Sequence, residues 1–272
     1  MNASAPIDRL LEIMAQLRAP DGCPWDREQT HLSLKTQLVE ECYELLEAID
    51  AADDALLQEE LGDVLLHLVF HSQIARERGA FTFPDVVNAL CEKLIRRHPH
   101  VFGTDSLPNS AAVLAQWHQI KAKEKPQRAS ALDGVPAHLP ALMKCQELQK
   151  KAARVGFDWP NPAPVWDKIH EELNELQKET DPARQAEELG DLLFSIVNLA
   201  RHLHLDAEEV ARQAATKFSR RFRALEADVR SRQQSLEDQS LAELDAAWER
   251  VKTGEATSQD DQLRSPSPSP TC

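Results

Sequence analysis

The chain has 272 residues and a formal net charge of −14, a balance that argues against a protein whose main work is coating nucleic acid, because phosphate contacts are made by Lys and Arg. Five widely spaced cysteines without a CxxC pair suit a reducing compartment, no run of about 18 apolar residues is present to span a membrane, and the N-terminus "MNASAPIDRLLEIM" lacks a signal-peptide pattern. A cytoplasmic location is expected, and the absence of GxxxxGK[ST] and GxGxxG excludes a P-loop and a dinucleotide fingerprint.

Apolar residues recur at three- and four-residue spacing and period-two runs are missing, so the fold is expected to be all-α. In chain order the pattern predicts helices over 7–18, 31–50, 54–78, 84–97 and 110–124, with Pro84 suited to a first helical turn. "KEKPQRASALDGVPAHLP", residues 123–140, holds three prolines and a glycine and reads as a linker. Beyond it helices are predicted over 139–154, 163–180, 183–203, 207–230 and 241–252, with Asp206 and Ser240 as N-caps and Ser240 with Glu243 as a capping box. This gives domains at 1–125 and 140–253, a linker at 126–139, and a Ser-Pro-rich tail at 254–272 too poor in apolar residues to offset the entropy of ordering.

The two halves share one phrase, EELGD, at 59–63 and 187–191, and the match extends both ways. Glu40, Glu41 and Glu44 spell EExxE in the first half, and Glu171, Glu172 and Glu175 in the second. "CPWD" around Trp25 pairs loosely with "GFDWP" around Trp159, and Lys93, Arg96, Arg97 pair with Lys217, Arg220, Arg221. Each half is therefore one copy of a unit: aromatic turn, EExxE helix, ExxD helix, KxxRR helix.

Residues three apart lie on one helical face, about a turn along. Glu172 with Glu175 and Glu188 with Asp191 form such pairs, as do Glu41 with Glu44 and Glu60 with Asp63. If the two helices pack antiparallel, four carboxylates converge into an oxygen-ligand site suited to Mg²⁺. On a helical wheel Glu60 and Asp63 border the apolar stripe, where like charges repel unless a cation neutralises them. A single EExxE is usually a solvated face; the pairing with ExxD and the duplication favour the site.

Lys217, Arg220 and Arg221 fall on one arc beside Phe218 and Phe222, a row suited either to phosphate oxygens or to plain exposure. Trp248 can stack on a base or belong to the core. Cys42, among Val39, Leu45 and Leu46, is expected in the core, and "RRHPHVFG" with His98 and His100 reads as a rigid turn after a helix.

"CPWDREQT", "VEECYELLEAI", "EELGDVLLHLVFH", "RRHPHVFG", "VGFDW" and "EELGDLLFSIVNLARH" together resemble the tandem MazG family of nucleoside triphosphate pyrophosphohydrolases, over residues 6–252. The resemblance implies two all-α MazG-like domains that assemble as a four-helix-bundle type homodimer. It implies hydrolysis of NTPs or dNTPs to the monophosphate plus pyrophosphate, in the service of clearing noncanonical nucleotides or tuning nucleotide pools. It further implies Mg²⁺, with Mn²⁺ as a substitute, on Glu172, Glu175, Glu188 and Asp191, and a second set at Glu41, Glu44, Glu60 and Asp63. Lys168 and Glu171 would lie beside the nucleotide, Lys217, Arg220 and Arg221 on the phosphates, and Trp248 near the base; Arg184 is a further phosphate candidate. Glu171 would orient or deprotonate the attacking water. No membrane and no direct nucleic-acid partner is expected.

Both copies retain every acid, so the following row decides between them. Ser195, Asn198 and His202 continue the second copy's row as polar residues, whereas His67, Phe70 and Ile74 would close or dry the first. The second copy is therefore expected to carry most of the activity, the first being degenerate, regulatory or a dimerisation partner. Two other readings stand beside hydrolysis: a nucleotide-binding regulator that does not turn over, and a di-iron carboxylate bundle. The latter lacks the Glu-x-x-His it needs after Glu44, Glu60, Glu175 and Glu188.

Overall fold

The computed structural model describes residues 5–104, 106–124 and 129–264. It is helical, with no strand among the described residues, and divides into two compact units at 126/127. The first unit holds α1 (Pro6–Leu17), α2 (Pro24–Glu28), α3 (Lys35–Ala51), α4 (Asp54–Glu77), α5 (Phe83–Arg97), α6 (Pro99–Phe102) and α7 (Ser110–Glu124). The second holds α8 (Ala141–Arg154), α9 (Ala163–Lys178), α10 (Pro182–His202), α11 (Ala207–Ser231), a 3₁₀ turn at Leu236–Asp238 and α12 (Leu241–Arg264).

In each unit the centre is an αα-hairpin, α3 against α4 and α9 against α10. Sequence explains both bends. Ala52 leaves α3 in the left-handed region at φ 51°, and Asp53 caps α4 by accepting from the backbone N–H of Ala55 and Leu56. Glu179 leaves α9 extended, Asp181 accepts from Ala183 and Arg184, and Pro182 occupies the first turn of α10, where no N–H is needed. These two aspartate caps escaped the sequence reading, whereas the Asp206 cap and the Ser240–Glu243 box form as expected. Asp53 stands seven residues before Glu60 and Asp181 seven before Glu188, so both ExxD pairs sit at one height above their caps.

Met14, Leu34, Val69, Phe70 and Ile74 form the first unit's core, and Leu225, Val229 and Ala247 form a cluster in the second, backed by Leu236, Leu244, Trp248 and Val251. Arg18 fastens the loop ahead of α3: its guanidinium donates to the Asp26 carbonyl, to the Gln29 carbonyl at 3.2 Å and to the Glu77 carboxylate at 2.7 and 2.9 Å. Met14 is 1% exposed. Met14→Ala is expected to destabilise the first unit by about 2–5 kcal/mol, through lost transfer energy and a residual cavity, read as a shifted denaturation midpoint.

Two expectations need correction. Cys42 is exposed, because the side of α3 that carries it with Val39, Tyr43 and Leu46 is left largely uncovered by the rest of its unit. The last helix runs to Arg264, beyond 253, through "TGEATSQDDQLR", in which the helix formers Ala, Glu, Gln, Leu and Arg are interspersed with weaker Gly, Thr, Ser and Asp. The Ser-Pro run of the tail lies outside the described residues.

Candidate active site

In the second unit the hairpin brings carboxylate oxygens of Glu172, Glu188 and Asp191 to within 4.8 Å of one another. Glu172 is the innermost, 3% exposed, with Glu188 half-buried and Asp191 exposed. Glu175, a turn further along α9, is exposed and outside the converging three, and acts on Glu188 through its charge. Burial, then Glu175, Glu172 and Asp191, push the Glu188 carboxyl above its ordinary range, and Arg184 partly offsets them. Lys168, one turn before Glu172, donates to Glu172 Oε1 at 2.6 Å and to Glu171 Oε1 at 2.9 Å, and these bonds hold its ammonium far above the usual lysine range. Arg184 pairs with Glu179 at 3.0 Å on an exposed turn.

The first unit repeats the arrangement with Glu41, Glu60 and Asp63, again within 4.8 Å. Burial and the neighbours Glu44 and Asp63 raise both Glu41 and Glu60. Glu60 is 9% exposed and its buried Oε2 has no hydrogen-bond partner. An orphaned carboxylate oxygen among other carboxylates fits a hard divalent cation, which would neutralise the group and complete its coordination. The position of Lys168 is taken here by Gln37, and that of Arg184 by Leu56.

A model of the MazG nucleotide pyrophosphohydrolase domain matches residues 29–102 and 165–225, both hairpins with their flanking helices. The nucleoside triphosphate pyrophosphohydrolase/pyrophosphatase MazG of Thermotoga maritima is 52% identical over 251 residues, covering 92% of this chain and 97% of that protein. The chain belongs to the MazG family. The nucleoside triphosphate pyrophosphohydrolase of Escherichia coli K12 is 48% identical over 257 residues, 92% of this chain and 98% of its own length. An uncharacterised Bacillus subtilis protein, YabN, is 45% identical, and the alignment spans 90% of this chain and 51% of YabN.

Within this MazG chain the remaining predicted residues take different places. Lys217 and Arg220 are exposed on α11 and Arg221 is half-buried, on a helix that lies mainly against α12 and α8 rather than on the acid hairpin. Trp248 packs on Phe218, ring centroids 5.4 Å apart, and backs the Leu225 cluster as a half-buried residue. Of the polar row, Ser195 and Asn198 are buried, and Asn198 lines a cavity of about 570 Å³ with Phe157, Trp159, Phe194 and Arg201.

Arg201 was not singled out by sequence, yet it organises this wall. Its guanidinium binds the Asp158 carboxylate, at 2.8 Å through Nη1, and donates to Asn198 Oδ1 at 2.7 and 3.0 Å. Those bonds hold the Asp158 carboxyl below its usual range, and His202 reaches the same carboxylate at 3.3 Å. The signal available in sequence was the pairing of the GFDW turn with a basic residue at the end of the ExxD helix. In the first unit Phe70 and Ile74 instead enter the core, while Arg96 and Arg97 are held by Glu124, whose carboxyl they lower to about 2.

The raised Glu188 carboxyl gives a pH prediction. In the folded state it keeps its proton to higher pH than in the unfolded chain, so its contribution to stability is present at low pH and lost as pH rises through the folded value. Glu188→Gln, neutral throughout, is therefore expected to melt above the parent at neutral pH in chelator, with the gap closing on acidification toward the ordinary carboxylate range. Parallel thermal melts across pH check this; a variant melting below its parent in chelator at pH 7 contradicts it.

Proposed function

We propose that the chain hydrolyses nucleoside triphosphates, NTPs and dNTPs, to the nucleoside monophosphate and pyrophosphate, with Mg²⁺ held in the second unit by Glu172, Glu175, Glu188 and Asp191. The observation that carries this reading is the convergence of Glu172, Glu188 and Asp191 with Lys168 on the innermost of them. The names of the full-length relatives from Thermotoga maritima and Escherichia coli support it. Mn²⁺, which accepts the same oxygen ligands, would substitute.

When bound, the ion supplies positive charge to phosphate oxygens and lowers the pKa of water. The chain's own groups do the rest. Glu171, exposed beside Lys168, takes the proton of the attacking water. The water oxygen bonds to the α-phosphorus, the bond from that phosphorus to the α–β bridging oxygen breaks, and pyrophosphate leaves. Lys168 and Arg184, with Lys217, Arg220 and Arg221, share the phosphate charge, Arg suiting bidentate capture. Asn198 carries the polar row two turns, about 10 Å, beyond Asp191. The cavity it lines is walled by rings able to receive a planar group, and Trp248, half-buried against Phe218, is proposed to lie near the base.

We place the enzyme in the cytoplasm as a homodimer. Val39, Tyr43 and Leu46 on α3, and Leu189, Leu193 and Ile196 on α10, are exposed within one chain and offer apolar faces to a second copy. No helix among the described residues is long and apolar enough to cross a membrane.

The test is a panel of NTPs and dNTPs incubated with the chain and Mg²⁺, with and without chelator, and resolved by product. Monophosphate plus pyrophosphate, lost in chelator, is expected. Diphosphate plus phosphate would refute the bond assignment, and tight nucleotide binding without turnover would favour a regulator.

A further inference from the structure

The cavity of about 570 Å³ in the second unit is walled on one side by α8, through Gln149, and on another by α10, through Phe194 and Asn198. Between them α8 ends in a Schellman motif, the N–H of Gly156 donating to the Ala153 carbonyl at 3.0 Å and that of Phe157 to the Ala152 carbonyl at 3.1 Å. Gly156 stands at φ 89°, a setting that a residue with a Cβ adopts only under strain. The turn leaves Phe157 and Trp159 on the cavity, with Phe157 83% exposed. A ring left in water beside an apolar hollow is surface that a planar ligand would cover.

Two amides in these walls are each fixed at one end and unbonded at the other. Gln149 is 7% exposed; its Nε2 donates to the Phe194 carbonyl at 2.8 Å, and its buried Oε1 has no partner. The reverse orientation would set one oxygen against another, so the end without a bond is the acceptor. Asn198 is also buried; its Oδ1 accepts twice from Arg201, at 2.7 and 3.0 Å, and among the described residues no acceptor takes its Nδ2. Arg201 is anchored in turn by Asp158, from the same turn that carries Phe157 and Trp159. A buried acceptor without a partner bears a desolvation cost that an N–H from a ligand removes.

The place of the cavity suits a nucleoside. Asn198 lies on the same face of α10 as Asp191, two turns further along, so a nucleotide held at the carboxylate cluster by its phosphates can lay its base there. On α4 the positions matching Phe194, Asn198 and Arg201 are Leu66, Phe70 and Gln73, and Phe70 is sealed in the core. The amide, the ring and the guanidinium therefore belong to the copy that also has Lys168.

We propose that this cavity is the nucleobase subsite, with Gln149 accepting a hydrogen bond from an N–H of the base, Asn198 donating one to a ring nitrogen or carbonyl oxygen, and Phe157 and Trp159 covering a face. Arg201 acts through Asn198 as a positioning residue, because it holds the amide in the orientation that leaves the donor unbonded. The inference rests on the triphosphate reading above and adds to it a division of labour. The carboxylates and cations hold the phosphates, whereas Gln149, Asn198 and Phe157 tell a nucleotide from a bare polyphosphate.

The test is calorimetric titration of the full chain in Mg²⁺ with two probes. One is the α,β-methylene analogue of ATP, in which the bond proposed to break is blocked; the other is inorganic tripolyphosphate, which has no base. The parent is expected to bind the analogue about tenfold or more tighter than tripolyphosphate. Phe157→Ala and Gln149→Met should each weaken the analogue by about tenfold and leave tripolyphosphate unchanged. Phe157→Ala removes an exposed ring and so spares the fold, and it decides the matter even if Gln149→Met does not fold. No binding of the analogue, equal affinity of the parent for both probes, or variants that change neither probe or both alike overturns the subsite. The subsite and the reaction fail separately. Parental kcat/KM for ATP in both variants sinks the subsite alone, and binding of the analogue through Gln149 and Phe157 without release of pyrophosphate from ATP sinks the reaction alone.

Discussion

Glu172→Gln is expected to lower kcat/KM for nucleoside triphosphates by about a hundredfold or more, roughly 3 kcal/mol of transition-state stabilisation, while the chain stays folded. Glu172 is the buried member of its cluster and the one Lys168 grips at 2.6 Å. The amide keeps the size of the side chain but removes its charge, so the site loses attraction for a divalent ion. Lys168 meanwhile keeps a carboxylate partner in Glu171, 2.9 Å away, which limits the structural damage. The loss should therefore appear as a weakened Mg²⁺ dependence rather than a lower melting temperature. Steady-state rates across a Mg²⁺ series, paired with thermal melts in chelator, measure both. Near-parental hydrolysis at every Mg²⁺ concentration would remove Glu172 from the proposed site.

Glu175→Gln and Glu44→Gln occupy equivalent positions in the two EExxE helices, yet their effects are expected to differ. Glu175→Gln should cost about a hundredfold in kcat/KM and Glu44→Gln only a few-fold. The acids alone give no reason for this, because each copy brings three carboxylates within 4.8 Å of one another, with Glu44 and Glu175 alike outside the converging three. What differs is what surrounds them. The second copy adds Lys168 and Arg184 at positions where the first has Gln37 and Leu56. Asn198 opens onto a cavity, while its counterpart Phe70 is sealed in a core with Met14 and Val69. The first copy's own arginines, Arg96 and Arg97, are occupied by Glu124. Equal losses from the two substitutions would refute the asymmetry and make the first copy an equal catalytic partner.

Much of the candidate site was legible in the chain because helical periodicity is a strict geometric rule. The spacing of Glu172 with Glu175 and of Glu188 with Asp191 already fixes each pair on one face, and duplication of the whole phrase makes a solvated-face reading hard to sustain. The basic row was less legible. Lys217, Arg220 and Arg221 share an arc, but the sequence does not say which helices α11 lies against, and within one chain it lies mainly against α12 and α8.

By itself, then, the sequence determined the all-α class, the duplication, the family resemblance and the pairing of acids within each helix, all of which depend on local spacing. Only the tertiary structure decided which oxygens converge between helices, since that depends on the height of each helix above its aspartate cap and on the bends at Ala52 and Glu179. It also decided that Cys42 faces outward, that Arg201 binds Asp158 across 43 residues of chain, and that His31 meets His71 across 40. Such contacts carry no period in the sequence. They arise when packing brings distant turns together, and burial then sets the charge state of what has met.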